Sequence, residues 1–262
     1  RRAANACAAP LGPVLDVNCF IGAFPFRELP HPDADVLVPV LGRAGIARAW
    51  VGHLPTAFHR DVTAGNEALF AALEPYRAVL EPVPAIRPGW QHWERALADA
   101  HALGARAIRA YPAQWGMGAH DAQLAALARA CGEIGLPLVL TTRFEDGRQR
   151  SALDVAPDLS GAHVRAVVRA DRNVKVIVTS AGRALIEESH WGLAASERAR
   201  LWWDISWIWG PPEDDLAHLL QTIGAGHFLF GSGWPLRLVQ SPIANLELLP
   251  PEARRLTLGE PP

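Results

Sequence analysis

Eight short, almost unbroken apolar runs recur along the chain, their starts roughly 30 residues apart, and this alternation is what most limits the possible folds. They are 14–22 (VLDVNCFIG), 47–54 (ARAWVGHL), 78–86 (AVLEPVPAI), 105–111 (ARAIRAY), 136–142 (LPLVLTT), 174–180 (VKVIVTS), 201–206 (LWWDIS) and 227–232 (HFLFGS). Runs this short and this apolar are strands covered on both faces, which is the signature of a parallel sheet. A parallel pair needs a crossover connection, and each interval leaves room for one helix. Eight such units predict an α/β fold, a single (β/α)8 TIM barrel, and 262 residues suit one. Residues 1–13 read as an N-terminal lead-in and 14–262 as the barrel.

The intervening segments carry helical spacing and punctuation. A helix is expected over Asp33 to Gly42. Another runs from Thr63 to Leu73, with Thr63 or Asn66 able to cap it. Gly89 to Gly104 ends at a glycine stop, and Asp121 opens a helix closed by Gly135. Further helices are expected over His163–Asp171, Gly182–Trp191, Glu213–Ile223 and Pro250–Leu258. The third strand is the least regular, because prolines interrupt it. The 143–159 loop is long and charged, of the kind that becomes a lid or a substrate clamp.

Composition narrows the partners. Half the residues are hydrophobic and the formal charge is −2, so no broad attraction to nucleic acid or to a membrane surface is indicated. No apolar run of about 18 residues exists, so no membrane span is expected. The N-terminal stretch lacks a continuous apolar segment and is not expected to be a signal peptide. Cys7, Cys19 and Cys131 form no paired framework, which favours a reducing, cytoplasmic setting. Cys19 should point into the strand–helix interface. The basic residues are 24 arginines and one lysine, and arginine suits two-pronged binding of carboxylates. A homo-oligomer stays open, and the strand-seven tryptophans Trp202, Trp203, Trp207 and Trp209 fit a pocket wall, a core or a subunit interface alike.

The chemistry of a barrel sits at its strand C-termini. On the first strand, alternation puts Asp16, Asn18 and Phe20 on one face. The segment resembles the opening strand of the amidohydrolase-related (amidohydrolase 2) barrel hydrolases, whose pattern is Asp-x-His-x-His-x-Gly. Asp16 and Gly22 keep the frame, and Asn18 and Phe20 stand at the two histidine positions. LPLVLTT is similar to the family's strand five with Thr141 in the histidine position. VIVTSAG is similar to strand six with Ser180 in the histidine position, and FGSGWP to strand eight with Gly233 in place of an aspartate. The resemblance spans about residues 14 to 258. By it, each frame survives and each metal ligand is replaced.

Zinc or manganese needs three or more His, Asp, Glu or Cys donors at one point. Asn18, Phe20, Thr141, Ser180 and Gly233 offer only weak neutral oxygens, so no cofactor is expected; a zinc-type divalent ion, or a displaced site built from His53, His59 or Asp204, is the minor reading. Without an ion, turnover must use a side-chain base and hydrogen-bond donors. His53 at the end of strand two is the candidate base, against a histidine bonded to loop backbone. Asp204 would orient His53 or a water, or pair with an arginine. The remaining residues expected at the mouth for substrate are Asn18, Arg109, Tyr111, Thr141, Arg143, Ser180, Ser232, Trp234 and Arg237. The arginines would select a carboxylate, or else form salt bridges to Glu145, Asp146 or Asp204 that knit the loops. Asp16 reads as structural.

Relatives of the resembled group hydrolyse lactones, amides and related carbonyl compounds or decarboxylate aromatic acids, and one lactonase branch works without metal. The resemblance therefore implies metal-independent hydrolysis of a small anionic lactone or amide. The alternatives are a catalytically silent barrel that binds a metabolite or partner protein, and a metal-dependent hydrolase with a displaced site.

Overall fold

The computed structural model describes residues 14–30 and 32–258; Cys7, the lead-in and the last four residues lie outside them. The strands are β1 (Val14–Ile21), β2 (Ile46–His53), β3 (Leu80–Pro82), β4 (Ile108–Ala110), β5 (Leu138–Thr141), β6 (Val176–Thr179), β7 (Leu201–Asp204) and β8 (Phe228–Leu229). All neighbours pair in parallel, β1 to β3 in one run and β4 to β8 in another.

Two seams close these runs into one ring. At β3–β4 the Arg109 N–H donates to Pro84 O at 2.9 Å and Ile86 N–H to Arg109 O at 3.0 Å. Pro82 and Pro84 have no N–H, which limits the β3 ladder to three residues, yet their carbonyls still accept from Arg106 and Arg109. At β8–β1, Val17 N–H reaches Phe230 O at 2.9 Å, Gly233 N–H reaches Asn18 O and Phe20 N–H reaches Trp234 O, both at 2.8 Å. The expected (β/α)8 barrel is the fold found.

The helices are α1 (Ala34–Arg43), α2 (Thr63–Leu73), α3 (Trp93–Ala102), α4 (Ala122–Ile134), α5 (Gly161–Ala170), α6 (Arg183–Trp191), α7 (Ala195–Arg198), α8 (Asp215–Thr222), α9 (Gln240–Glu247) and α10 (Pro251–Thr257). Two of them, α7 and α9, were not expected; Pro242 in α9 falls in its first turn, where a missing N–H costs nothing. Asp121 caps α4 as expected, accepting from Gln123 N–H at 2.8 Å, and Gly135 ends it at φ 73°. The α2 cap differs from expectation. Asp61 Oδ1 takes the Thr63 N–H at 2.9 Å, and no side chain caps at Val62. Asn66 works elsewhere: its amide donates to Ala85 O at 2.7 Å and accepts from Ala85 N–H at 2.9 Å. One side chain thereby satisfies both backbone groups of a buried residue at the β3–β4 seam.

The core has two layers. Leu15, Val17, Trp50, Val83, Ala107, Val139, Ile177 and Leu229 fill the inside of the ring. A larger apolar shell, including Leu37, Leu69, Leu127, Val164 and Leu219, lies between strands and helices. Among the described residues no helix is long and apolar enough to cross a membrane.

Asn66→Ala should leave the Ala85 N–H and C=O without partners and lower stability by about 2 kcal/mol, read from urea denaturation. Unchanged stability would mean that water replaces the amide at the seam.

Candidate active site

The first strand does not alternate strictly. Its register with β2 shifts between Asp16 and Cys19, a bulge of the kind that re-aims side chains. Leu15 and Val17 point into the ring, and Asn18 follows Val17 inward. Asp16 is thus separated from Asn18 and Phe20, which corrects the expectation that all three share a face. Asp16 instead clamps backbone: it accepts from Asn18 N–H at 2.9 Å, Ser232 N–H at 3.0 Å and the Cys19 thiol at 3.0 Å. This is the structural role expected for it, and Cys19 lies in the outer shell as expected. Burial holds the Asp16 carboxyl above its ordinary range and pushes the Cys19 thiol well up.

Asn18 is the hub of the upper barrel. Its Nδ2 donates to Asp204 Oδ2 at 2.8 Å, and its Oδ1 accepts from Arg109 Nη1 at 3.0 Å. Chemistry fixes the amide orientation, since a carboxylate only accepts and a guanidinium only donates. Ser180 Oγ and Ser206 Oγ each lie 3.4 Å from the same Nδ2. Arg109 also donates to Thr141 Oγ1 at 3.1 Å and sits 4.6 Å from the centroid of the Phe20 ring. Its Nε is buried and has no hydrogen-bond partner.

Asp204 is fully enclosed, and its carboxyl is pushed up to about 6. Loss of solvent is the main cause; donors from Ser206, Ser180 and Asn18 hold it back, and the charge of Asp16 adds to the rise. The Ser180 N–H donates to Oδ1 at 2.7 Å from a left-handed backbone, φ 60°, a conformation that costs a non-glycine residue energy and gathers at functional sites. Gly231 faces the same carboxylate, and a methyl group there would overlap Oδ2.

Above this network the mouth is shut by aromatic rings. Phe144 packs on Tyr111 at 5.5 Å, Phe58 at 5.2 Å, Phe20 at 6.2 Å and Phe24 at 6.3 Å between centroids. Burial pushes the Tyr111 phenol to about 12. The space beside Tyr111, Thr141 and Phe144 is only about 10 Å³, room for one water at most. A cleft of about 430 Å³ opens to one side, lined by Phe144, Trp207, Trp209, Arg27, Arg148 and Arg237 among others.

The amidohydrolase family model (Amidohydro_2) matches residues 57–260. The chain belongs to the amidohydrolase family. No curated protein matches the sequence significantly. Among solved structures it is similar to a TIM-barrel protein from Bordetella bronchiseptica (TM-score 0.67, 16% identity, covering 94% of this chain and 95% of that one). It is also similar to a 5-carboxyvanillate decarboxylase from Novosphingobium aromaticivorans, complexed with manganese and 4-hydroxy-3-methoxy-5-nitrobenzoic acid (0.71, 10%, 95% and 95%). A third is a probable 2-pyrone-4,6-dicarboxylic acid hydrolase from Acinetobacter baumannii with citric acid bound (0.59, 11%, 92% and 89%). At these identities the likeness is one of fold.

A divalent ion such as the manganese in the 5-carboxyvanillate decarboxylase structure does not suit the residues present here. Asn18, Thr141 and Ser180 already spend their polar atoms on one another and on Arg109 and Asp204. A guanidinium stands 3.0 Å from Asn18 Oδ1, so a second cation would meet a fixed positive charge. Among the described residues no three His, Cys, Asp or Glu side chains gather at one point, at the family position or around His53, His59 and Asp204.

The structure brings Asn18, Arg109, Thr141, Ser180 and Asp204 together and leaves other expected site residues apart. His53 is wedged between Gly22 and Gly65 of α2, with Nδ1 2.7 Å from Thr56 Oγ1. Burial, then the charge of His59, lowers its pKa. Ser232 serves the β8–β1 seam, where its Oγ takes the Trp234 N–H at 3.1 Å and its own N–H goes to Asp16. The Trp234 carbonyl accepts the Phe20 N–H at that seam. Arg143 is bound to Asp158 at 2.9 Å, the loop-knitting reading with a different acid. Arg237 lines the cleft. Sequence reasoning missed the plug, Phe24, Phe58 and Phe144. The signal was their position, each a few residues past a strand C-terminus.

The raised Asp204 carboxyl makes stability pH-dependent with a definite sign. A folded-state pKa above the unfolded value means that the group stabilises the fold below pH 3.8 and that this contribution is lost as pH rises through about 6. Across that window the stability of the wild type in urea melts should therefore fall by about 3 kcal/mol relative to that of Asp204→Asn. A pH-independent difference would place the Asp204 pKa near its unfolded value.

Proposed function

We propose that the protein is a metal-independent hydrolase of a small anionic lactone, amide or related carbonyl compound, with Asp204 moving the proton and Arg109 stabilising charge on the carbonyl oxygen. The observation that carries this reading is the pairing across Asn18 of a carboxyl with a pKa of about 6 and a buried guanidinium that keeps one unpartnered N–H. A group that titrates near neutral pH transfers protons in both directions at low cost. A cation fixed in a water-poor site stabilises a developing oxyanion far better than one in water.

In this reading the Asp204 carboxylate takes a proton from water as the water oxygen bonds to the carbonyl carbon. The carbonyl oxygen becomes an oxyanion facing Arg109. When the tetrahedral species collapses, the bond to the leaving oxygen or nitrogen breaks and Asp204 returns the proton to it. His53, held on Thr56 and α2, takes no part, which replaces the base read from the sequence. The substrate reaches the centre only when Phe144 swings aside, a displacement the β5–α5 loop permits because it carries no helix or strand.

A second reading, a silent barrel that binds a metabolite without consuming it, is favoured by the aromatic closure of the mouth. A thermal-shift screen of small carboxylates and lactones, followed by product analysis of each binder, separates the two: consumption supports hydrolysis, binding alone supports the silent barrel.

For an accepted lactone, kcat/KM should rise with pH through about 6 and level off above it, since the ionised Asp204 is the base. Asp204→Asn should lower kcat by about 10²- to 10⁴-fold. His53→Ala and prolonged dialysis against chelator should leave the rate unchanged. Loss of activity on chelation, or full activity in Asp204→Asn, would overturn the reading.

A further inference from the structure

The off-axis cleft has a charge and shape that the hydrolytic reading does not use. Its walls come from the loops after β1, β5, β7 and β8, so it opens on the same end of the barrel as Asp204 and Arg109. Three arginines line it, and two of them are neutralised locally. Arg27 Nε pairs with Glu145 at 2.7 Å, and Arg148 Nε with Asp146 at 2.8 Å. Arg237 differs. Its guanidinium carbon lies 4.6 Å from the Trp207 ring centroid and 5.7 Å from that of Trp209, and among the described residues no hydrogen-bond acceptor or carboxylate contacts its side chain. Arg143 approaches Trp207 as well, at 5.7 Å, but its charge is spent on Asp158.

A guanidinium laid over an indole is held flat with its N–H edge free, which is the arrangement that grips a carboxylate with two parallel hydrogen bonds. The apolar wall is supplied by Trp207, Phe144, Leu236 and the exposed Trp209 and Leu238. Glu145 and Asp146 line the same space, so the cleft carries one uncompensated positive charge and resists a dianion.

We propose that this cleft is a binding subsite for a monocarboxylate with a flat apolar body, gripped by Arg237 beside Trp207. The inference rests on the reading that a small anion is handled at this end of the barrel, and it adds which residues select it. Phe144 lines both the cleft and the plug, so a ligand seated here lies one ring away from the buried centre.

Isothermal titration of the full chain with benzoate, benzamide, acetate and phthalate tests this. Benzoate should bind, with benzamide, acetate and phthalate each at least about tenfold weaker, since each lacks the charge, the flat body or the single charge the cleft accepts. Arg237→Gln and Trp207→Leu should each weaken benzoate about tenfold or more, Arg237→Lys should fall between, and Arg148→Gln should stay within about threefold of wild type. Circular dichroism verifies that each variant is folded. Equal affinity for benzoate and benzamide, no benzoate binding at all, or wild-type affinity in folded Arg237→Gln would overturn the subsite. Those failures leave the Asp204 pH profile intact, whereas benzoate binding that persists in Asp204→Asn while turnover is lost supports both.

Discussion

One carboxamide holds the upper barrel together electrically. Taking an aspartate and an arginine out of water costs several kcal/mol each, and the two are not in direct ion-pair contact. Asn18 stands between them, donating to one and accepting from the other, so each charge meets the end of the amide dipole that suits it. Remove that amide and a carboxylate and a guanidinium are left buried with fewer partners, the most costly kind of loss in a protein interior. The remaining polar groups, Ser180, Ser206, Thr141 and Thr179, fill in around this axis.

The backbone is bent to serve that axis. A bulge in β1 lets Val17 and Asn18 both turn into the ring, and Asp16, displaced by the same bulge, bonds the Ser232 N–H and so ties β1 to the chain beyond β8. Ser180 accepts a left-handed conformation to aim its N–H at Asp204, and Gly231 gives up a side chain to let that carboxylate lie against β8. Strain and side-chain loss at one point are hard to explain by packing alone, because an apolar residue at position 204 would need neither. Their concentration around a single carboxyl makes Asp204 the point to which the surrounding backbone is fitted.

The fold was legible because parallel strands announce themselves: the LPLVLTT and VKVIVTS runs are apolar on both faces, and nothing but a strand layered by helices uses such short runs. That Asn18, Thr141 and Ser180 stand at strand ends facing one cluster was legible too, through the frames around them. What the sequence hid were three-dimensional facts. The bulge at Asp16–Cys19 breaks the period of two that face assignment depends on, so Asp16 was placed on the wrong face. The outward aim of His53 was hidden because a strand-end histidine looks the same whichever way its strand twists. Asn66 was read as a cap because amides favour that role, whereas its partner, Ala85, lies nineteen residues away across a helix.

The barrel's access problem follows from the same geometry. An ion held at a mouth needs water and substrate to reach it, so an open mouth is part of that chemistry. A relay of side chains has the opposite requirement, because water competes for every hydrogen bond and screens the pairing of Asp204 with Arg109. The rings of Phe20, Phe24, Phe58, Tyr111 and Phe144 meet that requirement by excluding solvent from the network. Closing the axis leaves a ligand only a lateral approach, and the room lies beside Phe144, where the Arg237 guanidinium rests on tryptophan with no carboxylate among the described residues in contact with it. The charge of Asp204 is felt at Arg237 through that wall, since it helps keep the guanidinium protonated against the cost of burial. Cleft and centre are therefore electrostatically one region divided by a single phenyl ring, and an anion entering the cleft would raise the cost of keeping Asp204 ionised behind it.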